Sequence, residues 1–314
     1  MAPILEVDNL VKRFGDLTAV KGISFAIEHG EVFSLLGPNG AGKTTTISVL
    51  SCLLQPTSGD AAIGGHSVTK EPMEVKKIIG VVPQDIALYP MLSARENLLF
   101  WGRMYGMGGA DLRRRAEEVL ETVGLRERAK DRIETYSGGM KRRINIAAGL
   151  LHRPQMVFMD EPTVGIDPQS RRNILDMVKA LNAQGMTVLY TTHYMEEAQE
   201  LSHRIGIIDH GQLIALGTLE ELTRLVGQED AVELRVAAEH STPELLAALG
   251  AVNGVNQVSS EDGTLRLLAR DGNAALPDLI TVANARGVRV TDVSIQVPNL
   301  EAVFLHLTGR ALRD

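Results

Sequence analysis

The sequence predicts an α/β protein with a mostly parallel sheet at its core, joined to a small C-terminal α+β domain. Two observations carry that expectation. Through about the first 220 residues, short apolar runs such as "EVFSLLG", "MVFMDEP", "MTVLYTTH" and "RIGIID" alternate with longer amphipathic stretches, as buried parallel strands alternate with crossover helices. Beyond the loose segment "LVGQED" (225–230) the order changes to strand, helix, strand, strand, helix, strand, which is that of a ferredoxin-like fold.

Taken in order, "EVFSLL" is the first buried strand of the sheet, and it runs through a glycine-rich loop into the helical "TTTISVLSCLL". Between about residues 90 and 150 the strand signal gives way to a helical insertion, in which "ARENLLFWGRMYG" and "ADLRRRAEEVLETVG" are separated by a break at Gly106 to Gly109. The strands "MVFMDEP", "MTVLYTTH" and "RIGIID" then complete a domain spanning 1–225. In 226–314 the expected elements are strand "AVELRVAA", helix "TPELLAALGA", strands "VNQVSS" and "TLRLLAR", helix "LPDLITVANARG", strand "VRVTDVSIQV" and a closing helix "NLEAVFLHLTGRAL".

Bulk properties narrow the function. With 314 residues and a hydrophobic fraction of 44% the chain can bury a core without cross-links. Its single cysteine, Cys52, forms no internal disulfide, so a reducing, cytosolic setting is expected. A formal charge of −7 provides no global attraction to nucleic acid or anionic lipid. No leader and no apolar run of about 18–20 residues stands out, so the chain is expected neither to be secreted nor to span a membrane alone.

The chemistry concentrates in a few motifs. "GPNGAGKT", Gly37 to Thr44, has the GxxxxGK[ST] pattern between a strand and a helix. There the loop of Gly37, Pro38, Asn39, Gly40, Ala41 and Gly42 can wrap phosphate oxygens with its backbone N–H groups, which every one of these residues except Pro38 carries, at a helix N-terminus. Lys43 would reach the β- and γ-phosphates, Thr44 would ligate Mg²⁺, and Thr45 follows in the first turn. "MVFMDEP" releases Asp160, suited to the metal, and Glu161, suited to orienting or deprotonating an attacking water, at the C-terminal end of a strand. Gln84 and His193 also follow strands, so both can point toward the γ-phosphate and its metal. "YSGGMKRR" (136–143) read alone is ambiguous: Ser137 is a candidate N-cap, Gly138 and Gly139 a loop, and Lys141 to Arg143 a solvated face.

The phosphate loop, Gln84, "SGG" at 137–139, "DE" at 160–161, "GIDP" at 165–168 and His193 together resemble an ABC transporter ATP-binding subunit over about residues 4–225. That resemblance implies a P-loop NTPase domain with an antiparallel β subdomain, ATP and Mg²⁺ as ligands, and hydrolysis of ATP to ADP and phosphate. It implies that Phe14 stacks on adenine and that Asp167 belongs to a loop crossing a dimer. It further implies that Ser137, Gly138 and Gly139 of one copy close over the ATP of a second. Tyr136, Met140 and Ile166 stand where the family usually has leucine, glutamine and leucine. "LYPMLSARENLLFWGRMYG" and the C-terminal "NLEAVFLHLTGRALRD" resemble ABC-2 type exporters, especially the daunorubicin/doxorubicin resistance subfamily. The partners implied are a second copy of the chain and a separate integral membrane permease, placing the protein at the cytoplasmic face of the membrane.

A soluble ABC ATPase acting on nucleic acid or ribosomes is the rival reading. It would be served by the basic runs Arg113 to Arg115 and Lys141 to Arg143, but these lie on amphipathic helices and are expected to be solvated faces, so no nucleic-acid partner is expected. A metabolic kinase would leave "SGG" and His193 unexplained, and a binding-only module would not need Glu161. The C-terminal domain is either a packing appendage or a regulator.

Overall fold

The computed structural model describes residues 2–226, 229–237, 240, 242–261, 263–296 and 299–308. It divides into two compact units, one running to Leu219 and one beginning at Glu220. In the first unit the chain forms β1 (Leu5–Phe14), β2 (Leu17–Ile27), β3 (Val32–Leu36), α1 (Lys43–Leu50), β4 (Ser58–Ile63), β5 (His66–Ser67), α2 (Pro72–Ile78) and β6 (Ile79–Val82). There follow α3 (Ala94–Met104), α4 (Gly109–Thr122), α5 (Gly138–Leu150), β7 (Met156–Asp160), α6 (Pro168–Ala183), β8 (Thr187–Thr192), α7 (Met195–Leu201), β9 (Arg204–Asp209) and β10 (Gln212–Gly217).

Six of these strands form one sheet in the order β10-β9-β3-β8-β7-β6. Every residue of β3, β7 and β8 is buried, which is why their sequences read as continuous apolar runs rather than alternating ones. β3 pairs in parallel with β8 and β9, and β7 in parallel with β6 and β8. The register sets Leu36 opposite Thr192, Asp160 opposite Thr191 and Val82 opposite Met159. The C-terminal ends of β3, β6, β7 and β8 therefore stand level, and the loops that leave them share one edge of the sheet.

A second sheet, β2-β1-β4-β5, is antiparallel. Its faces contribute Leu5, Val7, Ile23 and Phe25 to a core shared with Phe33, Leu35 and Phe158. The helical insertion packs α3, α4 and α5 around Leu98, Leu120 and Ile146. α3 opens with a capping box in which Ser93 and Glu96 bond each other's backbone N–H groups; the expected break lies between the end of α3 and Gly109.

The second unit contains α8 (Leu219–Thr223) at its entry, β11 (Asp230–Arg235), α9 (Pro243–Gly250), β12 (Val255–Glu261), β13 (Thr264–Ala269), α10 (Gly272–Ala285), β14 (Asp292–Gln296) and α11 (Leu300–Thr308). Its sheet is antiparallel in the order β12-β13-β11-β14, the β-α-β-β-α-β arrangement of a ferredoxin-like fold. Val232, Leu234, Leu249, Leu265, Leu267 and Leu279 form its own core. Two elements differ from expectation. α10 starts at Gly272 rather than Leu276, because the Asp271 side chain accepts from Ala274 N and caps an extra turn. The strand expected across "VRVTDVSIQV" starts late, as β14, because the ladder to β11 begins at Asp292, one residue after Thr291 N donates to Arg235 O at 2.8 Å; Val297 lies outside the described residues. Residues 309–312 of the expected closing helix lie outside the described residues.

Candidate nucleotide site

The phosphate loop leaves buried β3 and enters α1 through Gly42, whose φ of +108° is a conformation that costs glycine nothing and other residues much. Lys43, the first residue of α1, folds back over the loop. Its Nζ donates to the Gly37 carbonyl at 2.6 Å and to that of Pro38 at 3.0 Å, and lies 2.9 Å from Glu161 Oε1. Both side chains are buried, so each charge compensates the other.

Asp160 ends β7 beneath the loop. Burial raises its pKa, against hydrogen bonds from the Thr191 and Thr44 hydroxyls that lower it; the Thr191 bond measures 2.7 Å. Glu161 turns upward on a left-handed backbone, φ +43°, at a cost of about 1–2 kcal/mol for a residue with a Cβ. Its N–H donates to the Thr191 carbonyl at 3.2 Å and hydroxyl at 3.0 Å. Strain of this kind concentrates where a side chain must be aimed. The result places Glu161 Oε2 3.3 Å from His193 Nδ1.

These groups wall a cleft of about 510 Å³, with Phe14, Asn39, Gly40, Gly42, Lys43, Thr44, Thr45, Gln84, Glu161 and His193 on its surface. That volume suits a small-molecule ligand. Of the remaining phosphate-loop residues, Gly37 and Pro38 offer carbonyls to Lys43 and Ala41 is buried. Leu17, Ala19 and Val164 also line the cleft. They carry no motif; Leu17, 66% exposed beside the 46% exposed Phe14, is visible only as an unusual surface apolar pair. The donor set fits Mg²⁺: a hydroxyl and a carboxylate already in contact, Thr44 and Asp160, with Gln84 at the cleft and room for phosphate oxygens.

Ser137, Gly138, Gly139 and Asp167 do not line this cleft. Ser137 caps α5, accepting from Met140 N at 3.3 Å. Gly138 and Gly139 are not a loop but the first turn of that helix. Ser137 and Gly138 are exposed, so the helix start presents its N–H groups outward. Tyr136 is buried with its hydroxyl donating to Arg128 O at 2.6 Å. Asp167 caps α6, and the bonds it accepts at Ser170 hold its carboxyl below the usual range.

The basic runs are the expected solvated faces only in part. Arg142 is buried and donates to Pro83 O at 3.0 Å, and Arg143 donates to Val123 O at 3.0 Å. Arg115 bonds the carbonyls of Leu150 and Leu151 at the end of α5, groups that no intrahelical donor can reach. Only Arg113 and Arg114 of that run are exposed.

A buried carboxylate that no motif marks holds the loop carrying His193. Glu197 on α7 accepts from Tyr190 Oη at 3.0 Å and Thr192 Oγ1 at 2.9 Å, and Thr192 Oγ1 in turn accepts from Tyr194 N at 2.9 Å. In "HYMEEAQE" nothing separates Glu197 from exposed Glu196 except the phase of a short helix.

Strand ends that gather a phosphate loop, an acidic pair and a histidine around one cleft define a P-loop nucleoside triphosphatase. Comparison with known proteins narrows the class. The family model described as ABC transporter matches residues 20–164. The linearmycin resistance ATP-binding protein LnrL of Bacillus subtilis (strain 168) is 50% identical, over 99% of this chain and 100% of its own length. The daunorubicin/doxorubicin resistance ATP-binding protein DrrA of Streptomyces peucetius is 40% identical over 99% of this chain and 94% of its length. An ATP-binding cassette solved as a dimer in a post-hydrolysis state with ADP and Pi superposes with a TM-score of 0.61 at 29% identity, covering 68% of this chain and 98% of that one. The chain belongs to the ABC transporter family, as an ATP-binding subunit that hydrolyses ATP.

Proposed function

We propose that this subunit drives export of a drug, antibiotic or other hydrophobic compound through a separate integral membrane permease, at the cytoplasmic face of the membrane. The observation that carries the reading is likeness to drug-resistance ATP-binding proteins along the whole chain, C-terminal unit included. Among the described residues no helix is long and apolar enough to cross a membrane, so the substrate path is assigned to the partner. The rival nucleic-acid reading loses its support with Arg115, Arg142 and Arg143 turned inward.

In this reading Phe14 stacks on adenine, the 37–44 loop and Lys43 bind the phosphates, and Glu161 orients the attacking water and accepts its proton. His193 supports Glu161 and faces the γ-phosphate. Thr44, Asp160 and Gln84 would hold Mg²⁺, which would supply neutralisation of the phosphate charge. Ser137 to Gly139 and Asp167, away from their own cleft, act on the ATP of a second copy. The test is co-expression with an ABC-2 type membrane permease in a drug-sensitive host: survival on a toxic hydrophobic compound, lost with Lys43→Ala, supports export. Equal survival with Lys43→Ala and parent excludes ATP-driven efflux.

A further inference from the structure

α5 does more than present Ser137 to Gly139. One turn after them, two buried polar side chains grip the segment that follows β6. Arg142 Nη1 donates to Pro83 O at 3.0 Å. Asn145 accepts from Ala87 N at 3.1 Å and donates to Pro83 O at 3.3 Å and Asp85 O at 3.4 Å. The bonds bracket exposed Gln84 on both sides. From the other direction Trp101 Nε1 on α3 donates to Ala87 O at 3.0 Å.

The arrangement is costly. Arg142 is 5% exposed, and its Nε has no hydrogen-bond acceptor among the described residues. No carboxylate reaches it within ion-pair distance among them either. A buried guanidinium without a contacting acid is disfavoured by desolvation, and burial accordingly lowers its pKa. The group it donates to is the carbonyl preceding Gln84.

We propose that Arg142 and Asn145 are positioning residues that fasten the backbone on either side of Gln84 to α5, so that the Gln84 side chain is held at its place in the cleft. The inference rests on the reading of Gln84 as a metal and water ligand.

The test uses the full chain with MgATP, comparing Arg142→Met, Asn145→Ala and Gln84→Ala singly and in pairs. A nitroxide is attached at Ile86→Cys in a Cys52→Ser background. Each clamp variant is expected to lower kcat about tenfold, as loss of a supporting hydrogen-bonding group does, with KM within about twofold. In the Gln84→Ala background the further loss should shrink to under about twofold, because the group being positioned is gone. The nitroxide should be immobile in the parent and loosened in Asn145→Ala. Equal losses with and without Gln84, or unchanged nitroxide mobility, overturn the proposal. Full activity of Gln84→Ala overturns the role of Gln84 itself, and the positioning role with it. Impaired Gln84→Ala beside unimpaired clamp variants removes the clamp alone.

Discussion

Glu161 is held between Lys43 and His193, at 2.9 and 3.3 Å, on a backbone that few residues tolerate. Glu161→Gln keeps the shape but removes basicity, so hydrolysis should fall by about 10²–10⁴-fold while nucleotide binding persists, which single-turnover kinetics and nucleotide titration separate. Lys43→Ala should show the opposite, losing nucleotide affinity, because the cation facing the phosphates is gone. A second residue-scale expectation concerns His152. Its Nε2 meets Ile79 O at 2.8 Å, its ring stacks on Tyr105 at 3.8 Å, and burial pushes its pKa below the ordinary 6.5. In the window below that value the unfolded chain binds the proton and the folded chain does not. Stability from this site is therefore complete above pH 6.5 and is lost as pH falls through it toward the folded value. Thermal melts of the parent should drop on acidification through this window more steeply than those of His152→Gln.

At the scale of elements, α5 binds the site together. Its first turn lies against α6 so closely that a Cβ on Gly139 would sit 2.4 Å from Ser170 Cβ and 2.0 Å from its hydroxyl. Gly139→Ala should cost about 1–3 kcal/mol through overpacking, read as a lowered denaturant midpoint, whereas Gly138 has only Ile166 at 3.9 Å and should accept alanine with little loss. Sequence patterning located this helix and its cap. It misplaced the glycines and the arginines, because helical phase and close approach depend on which neighbour each face meets.

For the molecule as a whole, two expectations follow. The two units carry separate cores, so a chain truncated after Gly227 should fold and bind ATP, as circular dichroism and nucleotide titration would show. Soluble, folded protein without nucleotide binding would refute the proposed division into 1–225 and 226–314. For the pair of sites, Glu161→Gln should elute as a dimer with MgATP on sizing chromatography. Adding Gly138→Asp should return it to monomer, since a carboxylate at the exposed start of α5 repels the γ-phosphate. A Glu161→Gln/Gly138→Asp protein that still dimerises with MgATP would count against the in-trans role of α5.

The sequence by itself determined the strands, the phosphate loop and the acidic pair, because their physics is local: buried parallel strands must be apolar throughout, and a phosphate cradle needs glycines between a strand and a helix. It also determined the β-α-β-β-α-β order of the second unit. Only the tertiary structure decided that Gln84, Asp160, Glu161 and His193 share one sheet edge, since that rests on the register pairing Asp160 with Thr191 and Leu36 with Thr192. It alone distinguished Glu197 from Glu196, and turned Arg115, Arg142 and Arg143 from surface charges into donors to backbone carbonyls. A charged side chain reads as solvated until a carbonyl distant in the chain is brought within 3 Å of it, and 59 residues separate Arg142 from Pro83.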